Sequence, residues 1–174
     1  MMRANPMILA FLIPVGLAVA EGDPFDFMPD GGRALFSVVF TDAASQARAL
    51  AQDRTAEDWE NEIAKTAPTL AANQAKTLAA YLSVIAPREM SDAETATALP
   101  PDGRDLALTQ CQSCHSLFSG YLMHRRDSVG WMATFASPFH SGIPMTDTEK
   151  MIFADYSAIN MPMRFEDVPP ELRF

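Results

Sequence analysis

The chain has 174 residues, 48% of them hydrophobic, and its 22 acidic side chains outnumber 13 Lys and Arg to give a formal net charge of −9. This length and apolar content can bury one sizeable core or two small ones. The acidic balance argues against nucleic acid and against an acidic membrane surface as partners, because both select basic proteins. It favours a partner protein with a basic docking patch.

Residues 1–20 predict a secretory signal peptide. Arg3 supplies a positive start, residues 7–18 are apolar, and residues 18–20 read Ala-Val-Ala, a small-residue cleavage site. A membrane anchor is the alternative, but the apolar stretch is shorter than the roughly 20 residues that a spanning helix needs. We therefore expect cleavage before Glu21, a periplasmic protein, and no membrane span in the mature chain.

Residues 21–87 predict a helical first half, and residues 88–100 predict a linker. The apolar residues that recur at helical spacing at the end of the first half are Leu78, Tyr81, Leu82 and Ile85. The linker is polar and acidic and is bounded by prolines. The sequence contains no alternation typical of strands, so the predicted fold class is all-α.

Residues 111–115 read Cys-Gln-Ser-Cys-His, the C-x-x-C-H signature of covalent haem attachment. Two thiols three positions apart on a helical turn can add to the two vinyl groups of one porphyrin, and His115 then lies beneath the iron as the proximal ligand. A thioredoxin-like dithiol would need a preceding strand, and a zinc site would need more cysteines or histidines nearby. The motif therefore predicts one haem c, bound through Cys111 and Cys114.

Three features around the motif indicate a family. Gly103 precedes Cys111 by eight residues, Tyr156 lies in a later helical segment, and residues 142–145 read Gly-Ile-Pro-Met. In these features the chain resembles the class I cytochrome c family, which has a helix-packing glycine at that spacing, an aromatic against it, and a loop that presents an axial methionine. The resemblance implies a cytochrome c domain over residues 101–162, with Met145 as the second axial ligand.

The segment after Met145 predicts the last helix without reference to the family. Residues 146–149 form a capping box, and Ile152, Tyr156 and Ile159 follow at helical spacing. Met145 therefore precedes a helix start, in a loop from which its thioether could reach an iron. The same position also suits a hydrophobic staple, because methionine commonly fills gaps in a core.

Other side chains stay open as the distal ligand. His140 would give bis-histidine ligation and a lower reduction potential than a His/Met pair. The interval from His115 to Met145 is short for this fold, so the loop that covers the haem would be trimmed. The further candidates are Met123, Met132, Met161 and Met163.

The two halves of the chain share a spaced pattern. Residues 32–35 read Gly-Arg-Ala-Leu and residues 103–106 read Gly-Arg-Asp-Leu. A tryptophan and then a tyrosine follow each glycine at similar intervals, namely Trp59 and Tyr81 in the first half and Trp131 and Tyr156 in the second. The pattern predicts a tandem pair of one helical module.

The first module would be free of haem. Phe40, Ala44 and Leu70 stand where the second module has its first cysteine, its histidine and the candidate methionine. None of the three can ligate iron, and Phe40 could fill space that a porphyrin would take. The first module would then be structural or would dock a partner.

Residues 163–174 form a C-terminal tail without helical period, which either folds back over its own domain or binds a partner. The predicted function is periplasmic electron transfer, with other periplasmic redox proteins as donor and acceptor and no catalytic residues of its own. The chain could also serve as the cytochrome subunit of a periplasmic dehydrogenase. The alternatives are a haem-based ligand sensor or small peroxidase with an open distal iron site, and an assembly subunit with a structural haem.

Overall fold

The computed structural model describes residues 23–88 and 99–174. The predicted signal peptide and residues 89–98 of the predicted linker lie outside the described residues. Within the described ranges all regular structure is helical, which confirms the all-α prediction. No helix among them has the length and apolar character needed to cross a bilayer.

Seven α-helices make up the frame within the described residues. The first half contains α1 (Gly32–Val39), α2 (Ala43–Leu50), α3 (Ala56–Thr66) and α4 (Ala72–Ile85). The second half contains α5 (Gly103–Leu106), α6 (Ser128–Thr134) and α7 (Asp147–Asn160). Two wider π-helical turns, Ala107–Cys111 and Phe118–Leu122, and two 3₁₀ turns, Phe165–Asp167 and Pro170–Leu172, complete the second half.

The last helix begins where its sequence predicts. Thr146 Oγ1 accepts a hydrogen bond from the Glu149 amide at 3.2 Å, and Glu149 Oε2 accepts one from the Thr146 amide at 2.7 Å. This capping box satisfies amides that have no partner within the helix. Ile152 and Tyr156 are buried on the face predicted to be apolar, and Ile159 is half-buried there.

A glycine lies against a tyrosine at two helix crossings, one in each half. A Cβ placed on Gly32 would come within 2.3 Å of Tyr81 Cβ, and one on Gly103 within 2.1 Å of Tyr156 Cβ. Contacts this short leave no space for a methyl group, so α1 meets α4, and α5 meets α7, only because each glycine lacks a side chain. The predicted contact between Gly103 and Tyr156 is confirmed.

The same two tyrosines join the halves to each other. Tyr81 donates its hydroxyl to the carbonyl of Pro100 at 2.6 Å, and Tyr156 donates its hydroxyl to the carbonyl of Pro29 at 2.7 Å. Each tyrosine therefore packs on the glycine of its own half and bonds to the chain just before the glycine of the other half. Burial raises the pKa of both hydroxyls, so they remain protonated donors at neutral pH.

Polar groups close the interface between the halves. The buried Asp102 carboxylate caps α5 at the Asp105 amide, at 3.0 Å, and accepts from the Arg33 amide of α1 at 2.9 Å. The Arg33 side chain pairs with Asp105 at 2.8 Å, and Asn160 donates to Thr77 Oγ1 at 2.9 Å where α7 packs on α4. Buried residues of both halves form one contiguous core.

Both ends of the predicted linker are held in the fold. The Arg88 amide donates to the Leu50 carbonyl at 2.7 Å, Leu99 is buried, and Pro100 accepts from Tyr81. Residues 88 and 99–100 therefore belong to the packed structure, although the sequence composition predicted that they are part of a linker.

Substituting Gly103 by Ala should destabilise the folded protein by about 1–3 kcal/mol, because the new methyl group forces α5 away from α7. Gly32→Ala should have an effect of the same order at the crossing of α1 and α4. Gly142→Ala is the control, since a Cβ there would meet nothing within 4 Å. Urea unfolding of the three variants measures the effect, and a Gly103→Ala protein as stable as Gly142→Ala would contradict the packing argument.

Candidate functional site

The C-x-x-C-H segment lies at the end of a helix that is fixed at its start. α5 continues directly into the π-helical turn Ala107–Cys111, so the chain is helical from Gly103 to the first cysteine. The contact of Gly103 with Tyr156 anchors the beginning of this helix. Cys111 is half-buried at its end, and Cys114 and His115 follow in an exposed turn. π-helical turns often mark functional sites, because they shift side chains out of the α-helical register.

The two cysteines are free thiols. Burial, together with a smaller effect of the neighbouring Cys114, raises the pKa of the Cys111 thiol to about 12. Cys111 is therefore protonated at neutral pH. Dithiol redox sites need a thiolate with a lowered pKa, so this environment argues against thioredoxin-like chemistry.

The imidazole of His115 is oriented by the chain that follows it. Its Nδ1 lies 3.3 Å from the carbonyl oxygen of Ser116, and a Cβ on Gly120 would come within 2.1 Å of the same nitrogen. The ring thus rests against the backbone of Gly120. The opposite nitrogen, Nε2, points away from that contact and is the one available to a ligand or metal.

One cavity, which we call the aromatic cavity, opens beside the motif. It has a volume of about 270 Å³, and Cys111, Cys114 and His115 all contribute to its wall. The aromatic residues that line it are Tyr121, Trp131, Phe135, Phe139, His140 and Phe153. Tyr121, Trp131 and Phe153 also stack on one another with ring centroids 5.3 to 5.9 Å apart, which makes this wall rigid.

A second cavity, which we call the tail cavity, also has Cys114 and His115 in its wall. Its volume is about 330 Å³. Apolar residues from both ends of the described chain line it, including Phe25, Phe27, Leu172 and Phe174. Cys114 and His115 therefore border two apolar spaces.

The C-terminal tail folds back over the motif. Ser116 Oγ donates to the backbone oxygen of Phe174, and Phe165 stacks edge-on against Phe118 with ring centroids 5.8 Å apart. Val168 is completely buried. The sequence left open whether residues 163–174 fold back over their own domain or bind a partner. In the structure they pack on their own domain.

His140 is the residue that the fold brings to His115. The two ring centroids are 6.4 Å apart, and the ring planes are inclined at 78°. His140 lies in a series of tight turns after α6, where its amide bonds to the Ser137 carbonyl and its carbonyl accepts from the Ile143 amide. Its Nδ1 is buried and has no hydrogen-bond partner.

Met145 lies elsewhere in the domain. Its side chain is 7% exposed and belongs to the core, and its amide bonds to the Ile143 carbonyl at 2.8 Å in a tight turn before α7. The other candidate methionines also pack in or against the core: Met123, Met132, Met161 and Met163. The walls described for the aromatic cavity and the tail cavity contain no methionine.

Three residues, Gly120, Phe139 and Trp131, belong to the site although the sequence did not predict them there. Gly120 follows His115 by five residues, a spacing that has no established signature. Phe139 is 93% exposed at the rim of the aromatic cavity. Trp131 lines this cavity with its Nε1 buried and without a partner. No local pattern distinguishes these two aromatics from ordinary packing residues.

These features fit a flat, largely apolar group with a few polar atoms. Both thiols lie on the rim of an aromatic cavity, the exposed Phe139 ring borders it, and two buried nitrogens, Trp131 Nε1 and His140 Nδ1, lack partners beside it. Buried polar atoms are nearly always hydrogen-bonded or ligated, so His140 Nδ1 calls for a partner that the chain does not supply. Trp131 Nε1 shares its lack of a partner with Trp59 Nε1 in the first half. In residues 23–88 and 99–174 no group of three or more His, Cys, Asp and Glu side chains could hold a metal ion.

The chain matches no protein-family model, no curated protein and no solved structure at a significant level.

Replacing Gly120 by Ala should displace the His115 imidazole, because the methyl group would overlap Nδ1. We expect the ¹⁵N chemical shifts of the His115 side chain to change and the contact with the Ser116 carbonyl to be lost. Gly142→Ala is again the control, and NMR of protein labelled in histidine is the measurement. Unchanged His115 shifts in Gly120→Ala would show that Gly120 does not orient the ring.

Proposed function

We propose that this protein is a periplasmic electron-transfer cytochrome with a single haem c, attached to Cys111 and Cys114 and ligated on its proximal side by His115. One observation carries the proposal: both thiols and the imidazole of the C-x-x-C-H motif lie on the wall of one aromatic cavity. The motif supplies the chemistry of attachment, and the cavity supplies an apolar space next to it.

The chain's own residues have distinct tasks in this proposal. Cys111, half-buried at the end of its helix, and Cys114, exposed in the turn, fix two points of attachment. Ser116 and Gly120 hold the His115 ring so that Nε2 is the ligating nitrogen. A haem bound there would supply an iron that gains and loses one electron.

The aromatic wall and its edge set the environment of that iron. The stacked rings keep water away from one side of the cavity. The exposure of a haem to water is one of the factors that set its reduction potential, so this wall would help to set the potential of the iron. Trp131 Nε1 is a donor for a haem carboxylate, and the Arg126 guanidinium stacks 5.3 Å above the Trp131 ring and adds positive charge there.

Electron exchange with other proteins needs access to the haem edge. Cys114, His115 and Phe139 are exposed, so the site is open to the surface on the side of the motif. The net charge of −9 favours donors and acceptors with basic docking patches. Periplasmic redox proteins, including a dehydrogenase of which this chain is a subunit, are the partners we propose.

The first half is, in this proposal, a copy of the cytochrome module that has no haem. Beyond the paired glycine–tyrosine contacts, each half stacks an arginine on the tryptophan five residues later: Arg54 lies 5.1 Å from the Trp59 ring, much as Arg126 lies over Trp131. In each tryptophan the indole nitrogen is buried without a partner. These matching contacts at matching positions support a tandem pair of one fold.

Phe40 supports the absence of haem from the first copy. It occupies the position equivalent to Cys111, is buried, and stacks on Phe36 with ring centroids 5.2 Å apart. Phe40 therefore fills core space in this half with a side chain that cannot bind haem. Its proposed role is structural, since α4 packs on α7 and Tyr81 holds the chain that leads into α5.

Double substitution of Cys111 and Cys114 by Ala tests the proposal. The wild type, purified from the periplasm of a host that attaches haem c, should retain one haem per chain after denaturation and acid extraction. The double variant should lose it, because no thiol remains to form a thioether. Intact mass and the pyridine haemochrome spectrum are the measurements. Ser113→Ala, between the two cysteines, is the matched control and should keep its haem.

A wild-type chain that reaches the periplasm of such a host without covalent haem would contradict the proposed function. So would a double variant that keeps its haem through denaturation. A Ser113→Ala protein without haem would show that the loss is a general effect of substitutions in this turn.

A further inference from the structure

We propose that His140 is the distal axial ligand, so that the iron is held between two histidines; this inference rests on the proposed haem function. It differs from the His/Met ligation that the sequence resemblance implies. Three observations on His140 carry it: its separation from His115, its buried nitrogen without a partner, and its place in a loop whose backbone is already fixed.

The separation of the rings matches the space that one metal needs. An imidazole nitrogen binds a transition metal at about 2 Å, and the ring centre lies about 1 Å beyond the nitrogen, so two imidazoles on opposite sides of one metal have centres roughly 6 Å apart. The centroids of His115 and His140 are 6.4 Å apart. Both rings can lie along one axis at any inclination between their planes, and 78° is within that freedom.

The hydrogen bonds around both rings leave nitrogens available for this task. His115 directs Nδ1 to Ser116 and Gly120, which leaves Nε2 free. His140 has a buried Nδ1 without a partner, on a ring that lines the same cavity. An unpaired buried nitrogen destabilises the folded protein, and a ligand or metal at this place would offset that cost.

Hydrogen bonds fix the backbone of the loop that carries His140. The His140 amide donates to Ser137 at 3.0 Å, and the Ile143 amide donates to the His140 carbonyl at 3.1 Å. The Phe139 amide also bonds to the Ser137 hydroxyl at 3.3 Å. These bonds fix the backbone at His140, whose ring lies near that of His115, and a fixed backbone is part of the preorganisation that a ligand site needs.

The rival ligands fit the geometry less well. Met145 is packed in the core next to α7, and a methionine would have to leave that packing to reach the cavity. A sensor or peroxidase needs room for a small molecule between the iron and the distal side chain. A separation of 6.4 Å between the two rings is filled by the metal and its two nitrogens, and leaves no such room.

Two histidine ligands would determine the range of the reduction potential of this cytochrome. Methionine paired with histidine raises the reduction potential, so a bis-histidine iron has a lower one. We therefore infer a low-potential carrier, closed to gases, that accepts electrons from a more strongly reducing donor than a His/Met cytochrome would.

The test uses holoprotein purified from the periplasm and two variants of His140. His140→Ala should keep covalent haem but become high-spin in the ferric state and bind carbon monoxide when reduced. Added imidazole should restore the low-spin spectrum, which separates lost ligation from misfolding. His140→Met should stay low-spin, gain the far-red band of sulfur-ligated ferric haem, and have a higher midpoint potential.

His124→Ala and Met145→Leu are the controls, and both should keep the spectrum and the carbon monoxide resistance of the wild type. His124 is a second histidine of the same domain, and its Nε2 is 3.0 Å from the Ser119 carbonyl. A His140→Ala protein that stays low-spin would overturn the ligand assignment, as would a Met145→Leu protein that becomes high-spin. Covalent haem in the wild type upholds the proposed function in either case, and its absence would overturn both proposals.

Discussion

The contact between Gly103 and Tyr156 is the constraint on which the site depends. At this crossing α5 lies directly against Tyr156 of α7, with no side chain on Gly103 between them. This close contact fixes the position of α5 on α7, and with it the direction of the helical chain from Gly103 to Cys111. The thiols and His115 then follow in the next turn, beside the aromatic residues of α6 and α7. The equivalent contact of Gly32 with Tyr81, and the two tyrosine hydroxyls that bond across the halves, hold this arrangement from the other side.

Much of the fold is predictable from the sequence because its signals are local. The capping box at Thr146 and the apolar spacing after it define α7, and the spacing of Gly103 from the motif identifies the crossing with Tyr156. The position of His140 cannot be predicted from such local signals. His140 lies in a loop of turns with no period, and only the packing of α6 against α7 brings it to His115. Met145 has the right sequence position, but a residue just before a helix serves the core equally well.

The two histidines are held in different ways, and both suit a redox site. His115 follows a rigid helix and rests on Gly120, whereas His140 sits in a loop tied by its own backbone bonds. In the proposed cytochrome, a ligand pair held on both sides would change little when the iron changes its charge, which would keep the cost of reorganisation low. The tail adds to this closure, because Phe174 and Leu172 line the tail cavity beside Cys114 and His115.

The electron paramagnetic resonance spectrum of the ferric wild-type protein tests the central claim most directly, because it reports both the ligands of the iron and the angle between their planes. Two imidazoles inclined at 78° should give a highly anisotropic low-spin signal with one large g value and no high-spin component. A high-spin signal, a low-spin signal typical of His/Met ligation, or a protein without haem iron would contradict the account of a single haem held between His115 and His140.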